Sequence, residues 1–396
     1  MTSQSEEYHI KDWEDENLNL KKQLLRGIYS FGFENPSQIQ KKAILPFVKK
    51  YGEKKKRRDI VAQAQSGTGK TGAFVVSSLQ IINEKVKKTQ VMILAPTHEL
   101  AQQIEEVLLG LGQYLKIKVK LLIGGKSVDN DKKDLENDTP HVVVGTPGRV
   151  HDMIRRKYLK VKDLKLIVVD EADEMLSSGF VDQVYRIFQH MPEDIQMALF
   201  SATMPEELET LTEKFLRNPT KILVKSEELT LQGITQYYVN IEDDIQKYET
   251  IKDLFGGLNV SQAIIYCNST RRVDDLTDAM NQDQFPVKKI HGKMSQGERK
   301  SIFKEFKSGG CRVLITSDLF ARGIDVQQVS IVINFDIPKN EHTYLHRIGR
   351  SGRWGRKGVA INFQTKYDSQ YLKKFEEYYE TKIDELPMDY TSKLNV

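Results

Sequence analysis

The sequence predicts an α/β protein of two tandem domains, each a mainly parallel sheet covered by helices. The chain has 396 residues, more than one ordinary core organises, so about two domains are expected. Short, nearly all-apolar runs recur between longer helical stretches, as expected of strands buried on both faces. The series of runs stops at a polar segment and then starts again.

The first series comprises DIVAQA from Asp59, VMILA from Val91, VKLLI from Val119, HVVVG from His141, LIVVD from Leu166 and QMALF from Gln196. The second comprises TQYYVN from Thr235, QAIIY from Gln262, RVLIT from Arg312, SIVIN from Ser330 and GVAINF from Gly358. Between them lies KSEELTLQG, residues 225–233, polar and ending in glycine. It is expected to be a short flexible linker between domains at 1–224 and 234–396. No repeat of solenoid length is present.

Composition is that of a globular protein, 39% hydrophobic and 29% charged, with no apolar run long enough for a membrane span. The polar, acidic start lacks the apolar core of a secretory signal, so the chain is expected inside the cell, with the cytoplasm favoured over the nucleus. Cys267 and Cys311 form no CxxC and no multi-bridge framework, and are expected to be reduced buried thiols. A net charge of +4 permits a nucleic-acid partner without requiring one. Residues 49–58, KKYGEKKKRR, carry seven basic residues. They read first as a solvated loop, with a nuclear-targeting or RNA-touching patch as rivals.

Two segments of the first domain carry phosphate chemistry. Ala64-Gln65-Ser66-Gly67-Thr68-Gly69-Lys70-Thr71 follows a predicted strand and precedes a helical stretch. In that context glycines let backbone N–H groups approach phosphate oxygens and the helix N-terminus adds positive dipole. Lys70 would reach the β- and γ-phosphates and the Thr71 hydroxyl would ligate Mg²⁺. Ala64 replaces the first glycine of the general pattern, and a chance GKT turn is the rival reading. Asp170 and Glu171 close an apolar strand, with Asp173 and Glu174 just beyond. Asp170 would hold Mg²⁺ and Glu171 would orient the attacking water and take its proton. An acidic helix start is the rival.

In the second domain Arg347, Arg350, Arg353 and Arg356 recur at every third position among glycines. Four neighbouring guanidinium groups make sense if an anion neutralises them, as arginine fingers do; a basic partner-binding patch is the alternative. His342 and His346 do not form HExxH, and no cysteine cluster supports zinc.

Taken in this order, the residues resemble the DEAD-box ATP-dependent RNA helicases from about Leu24 to Met388, with Asp170-Glu171-Ala172-Asp173 spelling the family's name. The resemblance implies two RecA-like domains. It implies that Phe33 stacks on adenine and Gln40 bonds its edge, that Ser201 and Thr203 link hydrolysis to domain closure, and that Asp325 binds ribose. It further makes Arg350 and Arg353 the arginine fingers and His346 an interdomain hydrogen-bonding residue. Family RNA contacts correspond to Pro96, Thr97, Gly124, Gly125, Thr146, Pro147, Gly148 and Arg149 on the first domain. On the second they correspond to Asn268, Gly292, Gln296, Arg299 and Thr316. Such donors grip single-stranded or weakly structured RNA without reading sequence.

The chain departs from the family at four places. His98 stands where arginine is usual, implying a weaker or pH-sensitive RNA contact. Trp13 lies further upstream of Gly32 than the usual aromatic, and Lys293 replaces a frequent aspartate. The basic connection at 49–58 is longer than usual. Within the family, Glu228–Ile234 and Ile383–Met388 resemble both the members that act in translation initiation and the nuclear exon-junction members, and Gly323–Gln328 leans toward the former. Arg350–Arg353 and Cys267-Asn268 resemble the nuclear exon-junction members. The expected function is RNA unwinding driven by ATP with Mg²⁺, in translation initiation, by a chain monomeric alone, off the membrane, and partnered by a scaffold of either type. The alternatives are an ATP-locked RNA clamp in a nuclear complex and a P-loop enzyme of small molecules.

Overall fold

The computed structural model describes residues 9–51, 56–64, 67–177, 179–223, 233–257, 261–318, 329–351 and 358–393. Two compact units, Met1–Lys225 and Ser226–Val396, each hold one seven-stranded sheet. The strands of the first are β1 (Ile60–Gln63), β2 (Val91–Leu94), β3 (Val119–Leu122), β4 (Val142–Gly145), β5 (Leu166–Val169), β6 (Gln196–Ser201) and β7 (Thr220–Leu223). Those of the second are β8 (Ile234–Asn240), β9 (Ala263–Tyr266), β10 (Val287–Ile290), β11 (Val313–Thr316), β12 (Ile331–Asn334), β13 (Gly358–Gln364) and β14 (Asp384–Glu385). Their orders are β3-β4-β2-β5-β6-β1-β7 and β10-β11-β9-β12-β13-β8-β14. Reading each strand of the second as its counterpart in the first gives the same order, so one topology occurs twice without a detectable sequence repeat.

All eleven apolar runs are strands, paired in parallel. Each central strand divides its side chains between two cores. In β2, Val91 and Ile93 join the core with Leu24, Phe74 and Ile104, while Met92 and Leu94 join the one with Val150, Met153 and Ile187. Burying such a side chain contributes roughly 1.5–3 kcal/mol, which is why a strand covered on both faces reads as a continuous apolar run.

The expectation missed β7, β10 and β14. They are edge strands, and their sequences TKIL, VKKI and DE keep polar side chains. An edge needs cover on fewer sides, so its apolar signal is weak, and lysines there discourage pairing with another chain.

Cys267 and Cys311 are both buried and unbridged, and burial pushes the Cys267 thiol far up, so it stays a packing group. Trp13 packs into the first core, stacked on Phe33 at 6.3 Å between centroids and 15° between planes. No helix among the described residues is long and apolar enough to cross a membrane. The segment 225–233 lies outside the described residues except for Gly233, and so do positions 52–55 of the basic segment. The solvated-loop expectation for that segment needs correction at one place: Arg57 is drawn inward and half-buried while Lys56 and Arg58 are exposed.

The helix Lys22–Ser30 lies against the helix His98–Leu111 through Gly27, where an added Cβ would sit 2.0 Å from the Leu111 carbonyl oxygen. Neither backbone can yield cheaply. Gly27→Ala is expected to destabilise the first unit by about 1–3 kcal/mol, read as a lower urea midpoint; an unchanged midpoint contradicts this packing.

Candidate nucleotide and nucleic-acid site

Parallel strands bring all their carboxyl ends to one edge of a sheet, where ligands of open α/β folds bind. At that edge β1 leads through Ala64 to Gly67, Thr68 and Gly69, and the helix Lys70–Ile81 begins. Gln65 and Ser66 lie outside the described residues. Gly67 and Gly69 take φ of 84° and 99°, a region that strains residues with a Cβ. A Cβ on Gly69 would also meet Ser37 Oγ at 2.6 Å. The turn therefore requires glycine at both positions.

Phe33 and Gln40 lie on this same turn. A Cβ on Gly72 would lie 2.5 Å from Gln40 Nε2 and 2.9 Å from Phe33 Cε2. Gln40 Oε1 accepts from the Ser37 amide at 2.7 Å, and its Nε2 donates to the Gly69 carbonyl at 3.2 Å. The side chain expected to read a base thus also ties its own segment to the phosphate turn. One N–H and one lone pair remain for a ligand.

Opposite the turn, β5 delivers Asp170 and Glu171, both almost fully buried. Lys70 Nζ donates to Glu171 Oε1 at 3.3 Å. Glu171 has φ of 48°, a left-handed conformation that costs a non-glycine residue on the order of 1–3 kcal/mol and persists where surroundings fix it. Burial, and then the neighbouring Glu171 carboxylate, push the Asp170 pKa up to about 7. Asp173 is held from β6: its amide donates to Ser201 Oγ at 3.3 Å, and its Oδ2 accepts from Thr203 Oγ1 at 2.8 Å. Ser201 and Thr203 therefore touch the acidic segment directly.

The remaining first-unit residues follow β2, β3 and β4 at the same edge. Thr97 Oγ1 caps the helix His98–Leu111 by accepting from the Leu100 amide, keeping its own proton to donate. Gly124 lies against His98, whose Nε2 would be 3.3 Å from an added Cβ. Gly125 takes φ of 77°, Pro147 starts the helix Pro147–Arg155 after Thr146, and space is open around Gly148. Arg149 differs from a free phosphate-gripping group. It pairs with the buried Asp131 and donates to the Lys126 carbonyl at 2.7 Å. Its charge is largely met inside the protein, and it fixes the loop after Gly125.

In the second unit, Arg347 is fully buried. It donates to Asp318 at 2.6 Å, the Asp336 carbonyl at 2.7 Å and Asn268 Oδ1 at 2.8 Å, and lies 5.2 Å over the Tyr266 ring. The expectation that an external anion neutralises the whole arginine series is corrected here, because Asp318 meets the Arg347 charge within its own domain. Asn268 is similarly occupied: its Nδ2 donates to the Ile337 carbonyl at 2.9 Å and its amide to Asp336 at 3.1 Å. Asp336 also pairs with Arg272 at 2.7 Å and Lys247 at 3.1 Å. Thr316 spends its hydroxyl on the Ile290 carbonyl at 2.8 Å. Gly292 is exposed, and Gln296 and Arg299 lie on the first turn of the helix Gln296–Lys307 beside it. His346 and Arg350 are buried on the helix Glu341–Ile348 and just past it, with Arg350 Nε donating to the His346 carbonyl. Arg353 and Asp325 lie outside the described residues.

Sequence reasoning missed Asp131, Asp318, Asp336 and Arg272, the residues that hold these contacts in place. Their only signal is a polar residue beside a buried strand or a basic motif. Arg347→Ala strips Asn268 and Asp318 of their partner and is expected to destabilise the second unit by about 3 kcal/mol. Urea unfolding followed by circular dichroism measures this, and a loss well under 1 kcal/mol contradicts the arrangement.

Two family models match the chain: a DEAD/DEAH box helicase model over residues 37–211 and a helicase conserved C-terminal domain model over residues 246–355. The chain is 54% identical to Eukaryotic initiation factor 4A of Caenorhabditis elegans over 372 residues, 94% of this chain and 90% of that protein. It is 53% identical to ATP-dependent RNA helicase eIF4A of Pyricularia oryzae over 374 residues, 94% and 92% of the two. Among solved structures, S. cerevisiae Dbp5 bound to RNA and ADP BeF3 matches with a TM-score of 0.87 and 33% identity, covering 95% of each chain. With two duplicate parallel sheets, a glycine turn opposed by a buried acid pair and relatives of this identity along nearly its whole length, the chain belongs to the DEAD-box family of ATP-dependent RNA helicases.

Proposed function

We propose that the chain hydrolyses ATP to remodel RNA locally in translation initiation, in the cytoplasm and beside a protein scaffold. The observation that carries the chemistry is the buried Lys70–Glu171 pair beside Asp170. Arriving phosphates attract Lys70, and Glu171 is then released to orient a water and accept its proton. Thr203 and Ser201 hold Asp173 beside these acids, so a change at the nucleotide reaches β6 directly. In the second unit, Arg350 and Arg353 are assigned to the transferred phosphoryl group and Asp325 to ribose, by family correspondence. On each unit the RNA-facing surface is read as glycine and backbone, at Gly124, Gly125 and Gly148 of the first and at Gly292 of the second. Arg149, Asn268 and Thr316 shape that surface while their polar groups bond within the protein. The relatives at 53–54% identity carry an initiation-factor name, which favours this reading over a nuclear ATP-locked clamp.

The acid pair also fits Mg²⁺. Two adjacent buried carboxylates face a single lysine, and burial, together with their mutual repulsion, holds a proton on Asp170 to about pH 7; a dication would replace that proton. Thr71 and Asp170 would hold the ion, which would neutralise phosphate charge in the transition state. Because the folded Asp170 pKa lies above its unfolded value, its stabilising contribution is complete below about pH 4 and is lost as pH rises through about 7. Mg²⁺-dependent nucleotide binding has the opposite sign, since the metal needs the carboxylate. Calorimetry is expected to show affinity rising between about pH 6 and pH 8 with net proton release; a flat profile contradicts the Asp170 assignment.

Steady-state ATPase activity is expected to rise strongly with single-stranded RNA and to fall about 100-fold or more in Glu171→Gln. Equal rates with and without RNA would remove the coupling on which the proposal stands.

A further inference from the structure

At the opposite end of the first sheet, where the strands begin, lies a cavity of about 240 Å³. Leu18, Leu45 and Ile81 give it an apolar floor, and Asn19, Lys49 and Arg57 face it. The Arg57 Nε is enclosed and has no hydrogen-bond partner among the described residues. Enclosing a charged donor without a partner is costly, so the position suits an acceptor that the described residues do not supply.

The surroundings are cationic. Burial lowers the Arg57 pKa. The Lys165 ammonium is lowered first by burial and then by Arg57, Lys21 and Lys50. The neighbouring carboxylates with a paired cation are engaged elsewhere: Glu84 holds Lys21 at 3.3 Å and Asp194 pairs with Lys56. The segment that presents Arg57 is anchored firmly. Buried Gln196 donates to the Phe47 carbonyl at 3.1 Å and the Arg58 carbonyl at 2.7 Å, while Tyr51 and Lys56 exchange backbone hydrogen bonds. The Tyr51 ring lies 4.5 Å from the Arg58 guanidinium and 5.7 Å from the Lys49 ammonium. Basic groups interleaved with an aromatic ring suit a single-stranded nucleic acid, whose phosphates and bases alternate.

We propose that Arg57, with Lys50, Arg58 and Tyr51 around it, forms an accessory RNA site that takes a phosphodiester group into this cavity, away from the RNA surface at the strand carboxyl ends. The proposal rests on the RNA-helicase reading. Strand β1 separates Arg58 from the phosphate turn, and four residues of strand span about 13 Å. A short RNA has all its nucleotides engaged on the motif surface, whereas a long one has nucleotides left over for the cavity. The site would hold the enzyme on its RNA between ATP cycles.

The test uses the full chain and fluorescein-labelled oligouridylate of about 25 and about 7 nucleotides, with anisotropy followed across a salt series. Arg57→Gln and the surface variant Lys50→Glu/Arg58→Glu are compared with the unsubstituted protein, and thermal melts check folding. The long RNA is expected to bind about threefold or more weakly for each lost contact. The slope of log affinity against log salt falls by about 0.7 per contact. Short-RNA affinity and RNA-free ATPase activity stay unchanged. Equal long-RNA affinity in the surface variant overturns the proposal. So does an equal loss with the short RNA, which would mark general charge attraction, or a loss confined to a polyglutamate peptide, which would mark an acidic protein partner. Absence of RNA-stimulated ATPase in the unsubstituted protein is a separate failure, that of the underlying helicase reading.

Discussion

The constraint on which the first unit depends is the concentration of buried negative charge at the end of β5. Asp170, Glu171 and Asp173 are each nearly excluded from water, and carboxylates so placed repel one another unless cations or hydrogen-bond donors meet them. Lys70 meets Glu171, and Ser201 and Thr203 meet Asp173. Each of those partners comes from another strand–turn of the same sheet edge, so the glycine turn, β5 and β6 are bound together by one electrostatic problem. Burial and the neighbouring Glu171 carboxylate nevertheless raise the Asp170 pKa. A stability cost is thereby held at the place where charge must later be redistributed.

The second unit solves a different problem with the same topology. At its strand ends Asn268 and Asp336 join Arg347 and Arg272, from the helices Glu341–Ile348 and Thr270–Gln282, in one connected set of hydrogen bonds, and a second buried set joins Asn334, Asn362, Tyr344 and Gln236. Satisfied buried networks specify a single packing, because every alternative leaves a polar group without water or partner. The set around Arg347 fixes the backbone after β9 and β12 and the start of the arginine series. Arg347 is thus a positioning residue.

Much of this was legible in the sequence. The eleven long apolar runs, the restart after residue 233 and the phosphate turn are local patterns, dictated by the two-sided cover of central strands and by the φ values at Gly67 and Gly69. Edge strands such as VKKI were illegible because one-sided cover removes the pattern. The inward turn of Arg57 was illegible too, since in sequence it is one of seven basic residues in a row of ten, and only the Gln196 anchor and the cavity distinguish it.

By itself the sequence determined the fold class, the number of sheets and the phosphate chemistry, because strand periodicity, glycine turns and carboxylates at strand ends act over a few residues. Tertiary structure alone decided which polar groups remain open to ligands. Arg149 is claimed by Asp131, Asn268 by Arg347 and Gln40 by Gly69 across 18, 79 and 29 residues of chain. A hydrogen bond needs its partner within about 3 Å and in line. No spacing along a sequence specifies such a meeting until the sheet has set the register of the strands that carry both groups.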